Sequence, residues 1–117
     1  MRYVFTGDKK DDMDGTFKIV FDVLINEPDV IKIFENILTW QEDEVHELWA
    51  LSFYDQYDDP IDDIIVRYLD LEKKYRKLEF QQLFIKAIER FFYMYSDPKG
   101  KEIIDEVINH LNDKDTI

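Results

Sequence analysis

Apolar residues recur at helical spacing along most of this chain. After Pro28, Val30, Ile33, Phe34, Ile37 and Leu38 fall at i, i+3, i+4, i+7 intervals, the signature of one buried helix face. Val45, Leu48, Trp49 and Phe53 continue such a face after Gln41, and Ile61, Ile64, Ile65, Tyr68 and Leu69 follow Pro60 in the same rhythm. Leu83, Phe84, Ala87, Ile88, Phe91 and Phe92 mark a helix between Phe80 and Tyr95. Ile103, Ile104, Val107, Ile108 and Leu111 mark a terminal one after Pro98. No breaker separates Tyr75 from Phe80, so a tight bend is expected between the Pro60 helix and the next.

The boundaries come from the prolines, each of which follows an acid: Glu27-Pro28, Asp59-Pro60 and Asp97-Pro98. Proline suits a first helical turn, and an aspartate before it can accept a bond from that turn's free amides. Asp59 and Asp97 therefore read as N-caps, while Asn26 with Asp29 reads as the cap near Pro28. Residues 16–25 fit two patterns. Phe17, Ile19, Phe21, Val23 and Ile25 alternate as in a strand that could pair with Arg2 to Phe5. Met13, Phe17, Val20, Phe21 and Leu24 fit a helix face capped by Asp11, and the helical fit is preferred. These spacings predict a mainly α fold, a single-domain bundle of about five to six helices over residues 1–117. A short β-hairpin in residues 1–25 is the α+β alternative.

Composition narrows the class. The chain has 117 residues, 45% of them apolar and 15% aromatic, enough for one real core and too much for general disorder. It has no cysteine, which excludes disulfides and thiolate metal sites. It shows neither a signal-peptide pattern nor an apolar run of membrane-spanning length, so a cytoplasmic protein is expected.

Charge changes the picture most. The formal net charge is −12, and the residues up to Asp63 carry all of it, with 17 acids against 5 bases. No lysine or arginine occurs between Lys32 and Arg67, yet ten acids do. A one-signed field of this kind attracts a cationic surface and repels nucleic acid and anionic membranes. The basic cluster Lys73-Lys74-Tyr75-Arg76-Lys77 reads as the cationic end of the helix begun at Pro60.

Catalytic and metal chemistry was sought and not found. Asp43 and His46 have i, i+3 spacing, but a di-metal bundle site needs a second such pair, and His110 has valine three residues before it. Ala50 stands where the second histidine of a zinc motif would be. Asp12-Met13-Asp14-Gly15 hints at a calcium loop but fails at both ends, with Lys10 and Phe21 in the first and closing positions. There is no phosphate loop or nucleophile elbow. A protein that is not an enzyme and uses no cofactor is expected.

The stretch Tyr57-Asp58-Asp59-Pro60-Ile61-Asp62-Asp63-Ile64-Ile65-Val66-Arg67-Tyr68-Leu69, followed by the Leu83–Phe92 helix, resembles small immunity proteins of contact-dependent growth inhibition systems. Ser96-Asp97-Pro98-Lys99-Gly100, leading into Ile103 to Leu111, is similar to the start of the last helix in nuclease-colicin immunity proteins. Tyr93-Met94-Tyr95 stands where that family carries paired tyrosines. The resemblance implies a protein that binds a toxin and neutralises it.

Charge and resemblance converge on one expectation: an acidic inhibitor or immunity protein that covers the substrate-binding surface of a basic partner such as a nuclease toxin. The residues expected at the contact are Glu42, Asp43, Glu47, Tyr54, Asp55, Tyr57, Asp58, Asp59, Asp62 and Asp63. Tyrosine and tryptophan would supply rigid contact area and the acids steering. Three alternatives remain: a nucleic-acid mimic with acids spaced like phosphates, an assembly protein that forms homo-oligomers through exposed aromatics, and a solvated acidic face over tryptophans that sit in the core.

Overall fold

The computed structural model describes residues 2–5, 15–57 and 59–115, the last four by their backbone alone. Four helices and a four-stranded antiparallel sheet follow in the order α1 (Gly15–Leu24), α2 (Val30–Thr39), β1 (Glu44–Val45), β2 (Trp49–Tyr54), β3 (Pro60–Tyr68), β4 (Leu71–Arg76), α3 (Lys77–Met94) and α4 (Pro98–Asp115). The protein is thus α+β, and the expected all-α bundle of five to six helices is overturned. The α+β alternative places a hairpin in residues 1–25, but residues 16–24 lie in α1, and among the described residues the sheet is built from residues 44–76.

The correction has a physical cause in the middle of the chain. In β2, Trp49, Leu51 and Phe53 are buried while Ala50, Ser52 and Tyr54 are half-buried. That is a period of two, which the helical reading of Trp49 and Phe53 passed over. In β3, Ile64 and Val66 are buried and their neighbours are not. The isoleucines and valine of β3 are β-branched, and they favour a pleated strand over a helix. Asp59-Pro60 opens this strand rather than capping a helix. Lys73, Lys74 and Arg76 lie on β4 and Lys77 opens α3, so the basic cluster closes no helix.

The strand order β1-β2-β3-β4 follows the chain. The register pairs Trp49 with Tyr68 and Ile64 with Tyr75, and it slips between Ser52 and Tyr54. Helices α1 and α3 pack on one face of the sheet, and α2 joins α4 and α3. On the other face Asp63 stands opposite Arg76 and Arg67 opposite Glu72. β4 forms one margin of the sheet, with Lys73, Lys74 and Arg76 exposed along it.

Aromatic rings fill the centre. Phe84 meets Phe21 and Phe34 edge-on at 5.7 Å each and stacks on Phe80 at 5.7 Å. Such edge and offset contacts add to burial. The N-terminal residues 2–5 are tied to α1 and the turn after it. Val4 and Phe5 are buried, and Asp22 accepts their amides. The Asn26 side chain pairs with both backbone groups of Arg2 instead of capping α2, whose N-cap Asp29 makes no side-chain bond. Asp97 does cap α4, its Oδ1 accepting the Gly100 amide at 3.0 Å.

Candidate functional site

The base-free stretch becomes two acidic places. The first is the tip between β2 and β3. Asp55 Oδ1 accepts the amides of Tyr57 at 2.8 Å and Asp59 at 3.0 Å, while the Asp55 amide donates to the Asp59 carbonyl at 2.8 Å. A carboxylate folding its own loop in this way is an Asx-type turn. It thrusts Tyr57 into solvent, 75% exposed. Asp55 and Asp59 are exposed beside it, and Asp62 and Asp63 follow on β3, pointing to opposite faces of the strand. Asp58 lies outside the described residues.

Glu42, Asp43 and Tyr54 adjoin this end and line one shallow hollow with Gln41. Asp43 has structural work there. Its Oδ1 accepts the amides of Phe53 at 2.6 Å and Tyr54 at 3.1 Å, where the β2 register slips. Tyr54 Oη donates to the Trp40 carbonyl at 2.5 Å. Glu47 does not join the others: it is exposed in the turn between β1 and β2, at the opposite end of β2. Of the expected contact residues, the fold therefore gathers Glu42, Asp43, Tyr54, Asp55, Tyr57, Asp59, Asp62 and Asp63 toward one end.

Glu42, Asp55, Asp59, Asp62 and Asp63 form no ion pair within 4 Å among the described residues. The sheet register nevertheless sets Asp63 across from Arg76. The outer sheet face is thus mixed in sign, and among the described residues of the base-free stretch the one-signed character lies at the tip and the flank of α2. The tryptophans do not offer themselves as anchors. Trp49 is 2% exposed, and half-buried Trp40 packs on Phe53 at 5.2 Å.

The second place is a groove of about 470 Å³ between α2 and β1, lined among others by Glu27, Lys32, Asn36, Glu42, Glu44 and His46. His46 Nε2 lies 2.7 Å from Glu44 Oε1, and its Nδ1 lies 3.8 Å from Glu27 Oε1. The ring stacks on Trp49 at 4.1 Å, and Trp49 Nε1 donates to the same Glu27 oxygen at 3.3 Å. Asn36 Nδ2 donates to Glu44 Oε2 at 2.6 Å. A helix with Val45, Leu48, Trp49 and Phe53 on its buried face would leave His46 on the solvated one. It sits instead just past an edge strand, clasped by carboxylates from two elements. Nothing in the spacing ties it to Glu27, because only the return of β2 onto the α1–α2 connection brings them together.

No group of three or more histidine, aspartate or glutamate side chains among the described residues is arranged to hold a metal ion. No described helix is long and apolar enough to cross a membrane. No family model matches this chain, and neither the curated proteins nor the solved structures yield a match.

Proposed function

We propose that this protein is an acidic inhibitor of the immunity type. It binds a basic partner, such as a nuclease toxin, and blocks it by covering the surface that holds substrate. The observation that carries this reading is the β2–β3 tip: exposed Tyr57 in one turn with Asp55 and Asp59, and exposed Asp62 following on β3, whose carboxylates lie in no ion pair with the rest of the described chain. An exposed tyrosine supplies rigid contact area at small entropic cost, and unpaired carboxylates around it steer a cationic surface into place. Acids grouped around an aromatic at a loop tip support a protein contact over a row of phosphate mimics. Lysines and arginines that hold phosphate on a nuclease would meet these carboxylates.

The test is a salt-dependent capture followed by kinetics. A basic nuclease retained at about 50 mM salt and released at about 0.5 M is expected, since exposed charge pairs weaken as the Debye length shrinks. Its nucleic-acid cleavage should stop at a stoichiometric amount of this protein. Asp59→Lys with Asp62→Lys should slow association about tenfold or more. Glu102→Lys with Glu106→Lys, an equal charge change on α4, should slow it far less. Capture of no basic partner, cleavage that continues in the complex, or equal rates for the two double variants would overturn the reading.

A further inference from the structure

The two turns at the end of the sheet opposite Tyr57 present leucines. Leu48 closes the β1–β2 turn and Leu69 opens the β3–β4 turn. The Leu69 amide donates to the Leu48 carbonyl at 3.0 Å, which holds the turns side by side. Leu71 follows at the start of β4, opposite Tyr68. All three side chains are exposed, Leu69 at 63%. Their base is packed, because Trp49, paired with Tyr68, is buried in the core. Leu69 takes a φ of 53° at the first central place of a two-residue turn, where glycine is favoured. Its backbone costs stability and its exposed side chain returns none to the fold, which is the pattern of a residue kept for a contact outside it.

We propose that Leu48, Leu69 and Leu71 dock a helix of another protein, one whose apolar stripe is flanked by lysines or arginines. The leucines form a row across the ends of β2, β3 and β4, about 10 Å long at the ordinary strand spacing, and about 10 Å also separates i from i+7 on a helix. Charge selects the partner. Glu47 precedes Leu48 and Asp70 follows Leu69, both exposed. Arg67 is engaged with Glu72 at 2.7 Å, and Lys73, two places beyond Leu71, lies over the Tyr75 ring at 5.6 Å. The rim thus presents two carboxylates, which attract cations beside an apolar stripe. They repel an anionic membrane and a second copy of this chain, whose own net charge is −12. The length of β3 separates this surface from the tip by about 25 Å, so the proposal does not rest on the reading of the tip.

The probe is a labelled helical peptide of about 18 residues, with leucines at i, i+3, i+4 and i+7 spacing flanked by lysines, and its counterpart with glutamates in place of the lysines. Fluorescence anisotropy reads both on the full chain at about 0.15 M salt. The lysine peptide should bind and the glutamate peptide should not. Leu48→Ser with Leu69→Gly should weaken binding about tenfold or more, since two apolar anchors are lost. Leu69→Gly alone should weaken binding while raising the thermal midpoint, a pair of opposite shifts that loss of fold does not produce. Glu47→Lys with Asp70→Lys should also weaken the lysine peptide about tenfold. Asp59→Lys with Asp62→Lys at the tip should leave binding within about twofold, because charges that far away are screened at this salt. Tyr93→Ser, which removes an exposed aromatic from α3, should do the same. Binding that ignores the leucine variants, equal binding of the two peptides, or no binding of the lysine peptide would overturn the proposal. So would wild-type self-association by light scattering, or adsorption to phosphatidylglycerol vesicles, that disappears in Leu48→Ser with Leu69→Gly.

Discussion

Asp22 accepts the backbone amide of Val4 at 2.7 Å, joining the last turn of α1 to a residue 18 positions earlier in the chain. The amide of Phe5 shares the same carboxylate at 3.2 and 3.3 Å. Both donors are buried. Asp22→Ala is expected to cost about 2–4 kcal/mol, because two buried amides would be orphaned. Asp22→Asn keeps one acceptor oxygen and should cost about 1 kcal/mol. Urea denaturation of the two variants checks the order.

Asp43 separates a folding role from a binding one. Its oxygen satisfies two amides where the β2 register slips. Asp43→Ala should lower stability by about 1–2 kcal/mol in the absence of any partner. Asp62→Ala, which removes an exposed carboxylate without a described partner, should stay within about 0.5 kcal/mol of wild type. Equal stabilities for the two variants would remove the structural assignment of Asp43.

Leu69 occupies a φ of 53° in the two-residue turn between β3 and β4, and its side chain is exposed. A branched apolar residue gains nothing there and bears the cost of a positive φ. Leu69→Gly should stabilise the protein by about 0.5–1 kcal/mol, read as a rise in thermal midpoint. The Leu69 amide bond to the Leu48 carbonyl at 3.0 Å survives the change.

Gly100 lies where α4 meets α2. A Cβ there would fall 2.5 Å from Asp97 Oδ2 and 2.7 Å from Ile31 Cδ1. Alanine gains about 1 kcal/mol in helix propensity, but it displaces the capping carboxylate and the Ile31 contact, which together cost about 2 kcal/mol. Gly100→Ala should therefore destabilise by about 1 kcal/mol net. Chemical denaturation measures it.

How far the sequence reveals this molecule depends on where the breaking residues fall. Val30 to Leu38, Phe80 to Phe92 and Ile103 to Leu111 have long apolar stripes, and all three regions are helices. The N-terminal ambiguity also resolves toward helix. Residues 41–76 mislead for two reasons. Trp49 and Phe53 are four apart and satisfy a helical template as well as a strand's, since two steps of the strand period make four. The Tyr68-Leu69-Asp70-Leu71 turn carries no glycine or asparagine to announce itself, because a leucine takes the unusual φ. The run Asp55-Gln56-Tyr57-Asp58-Asp59 has no apolar face at helical spacing, and that lack marks a loop in the sequence. The loop's self-organised turn is not legible there, because it depends on where one carboxylate points. Glu27 and His46 meet only through the tertiary fold, so no local pattern could have paired them.

Among the described residues the sheet ends at β4, and its margin bears Lys73, Lys74 and Arg76. Were a second molecule to lay its own β4 alongside, six cations would be crowded into neighbouring rows. This repulsion discourages fibril-like growth by strand addition.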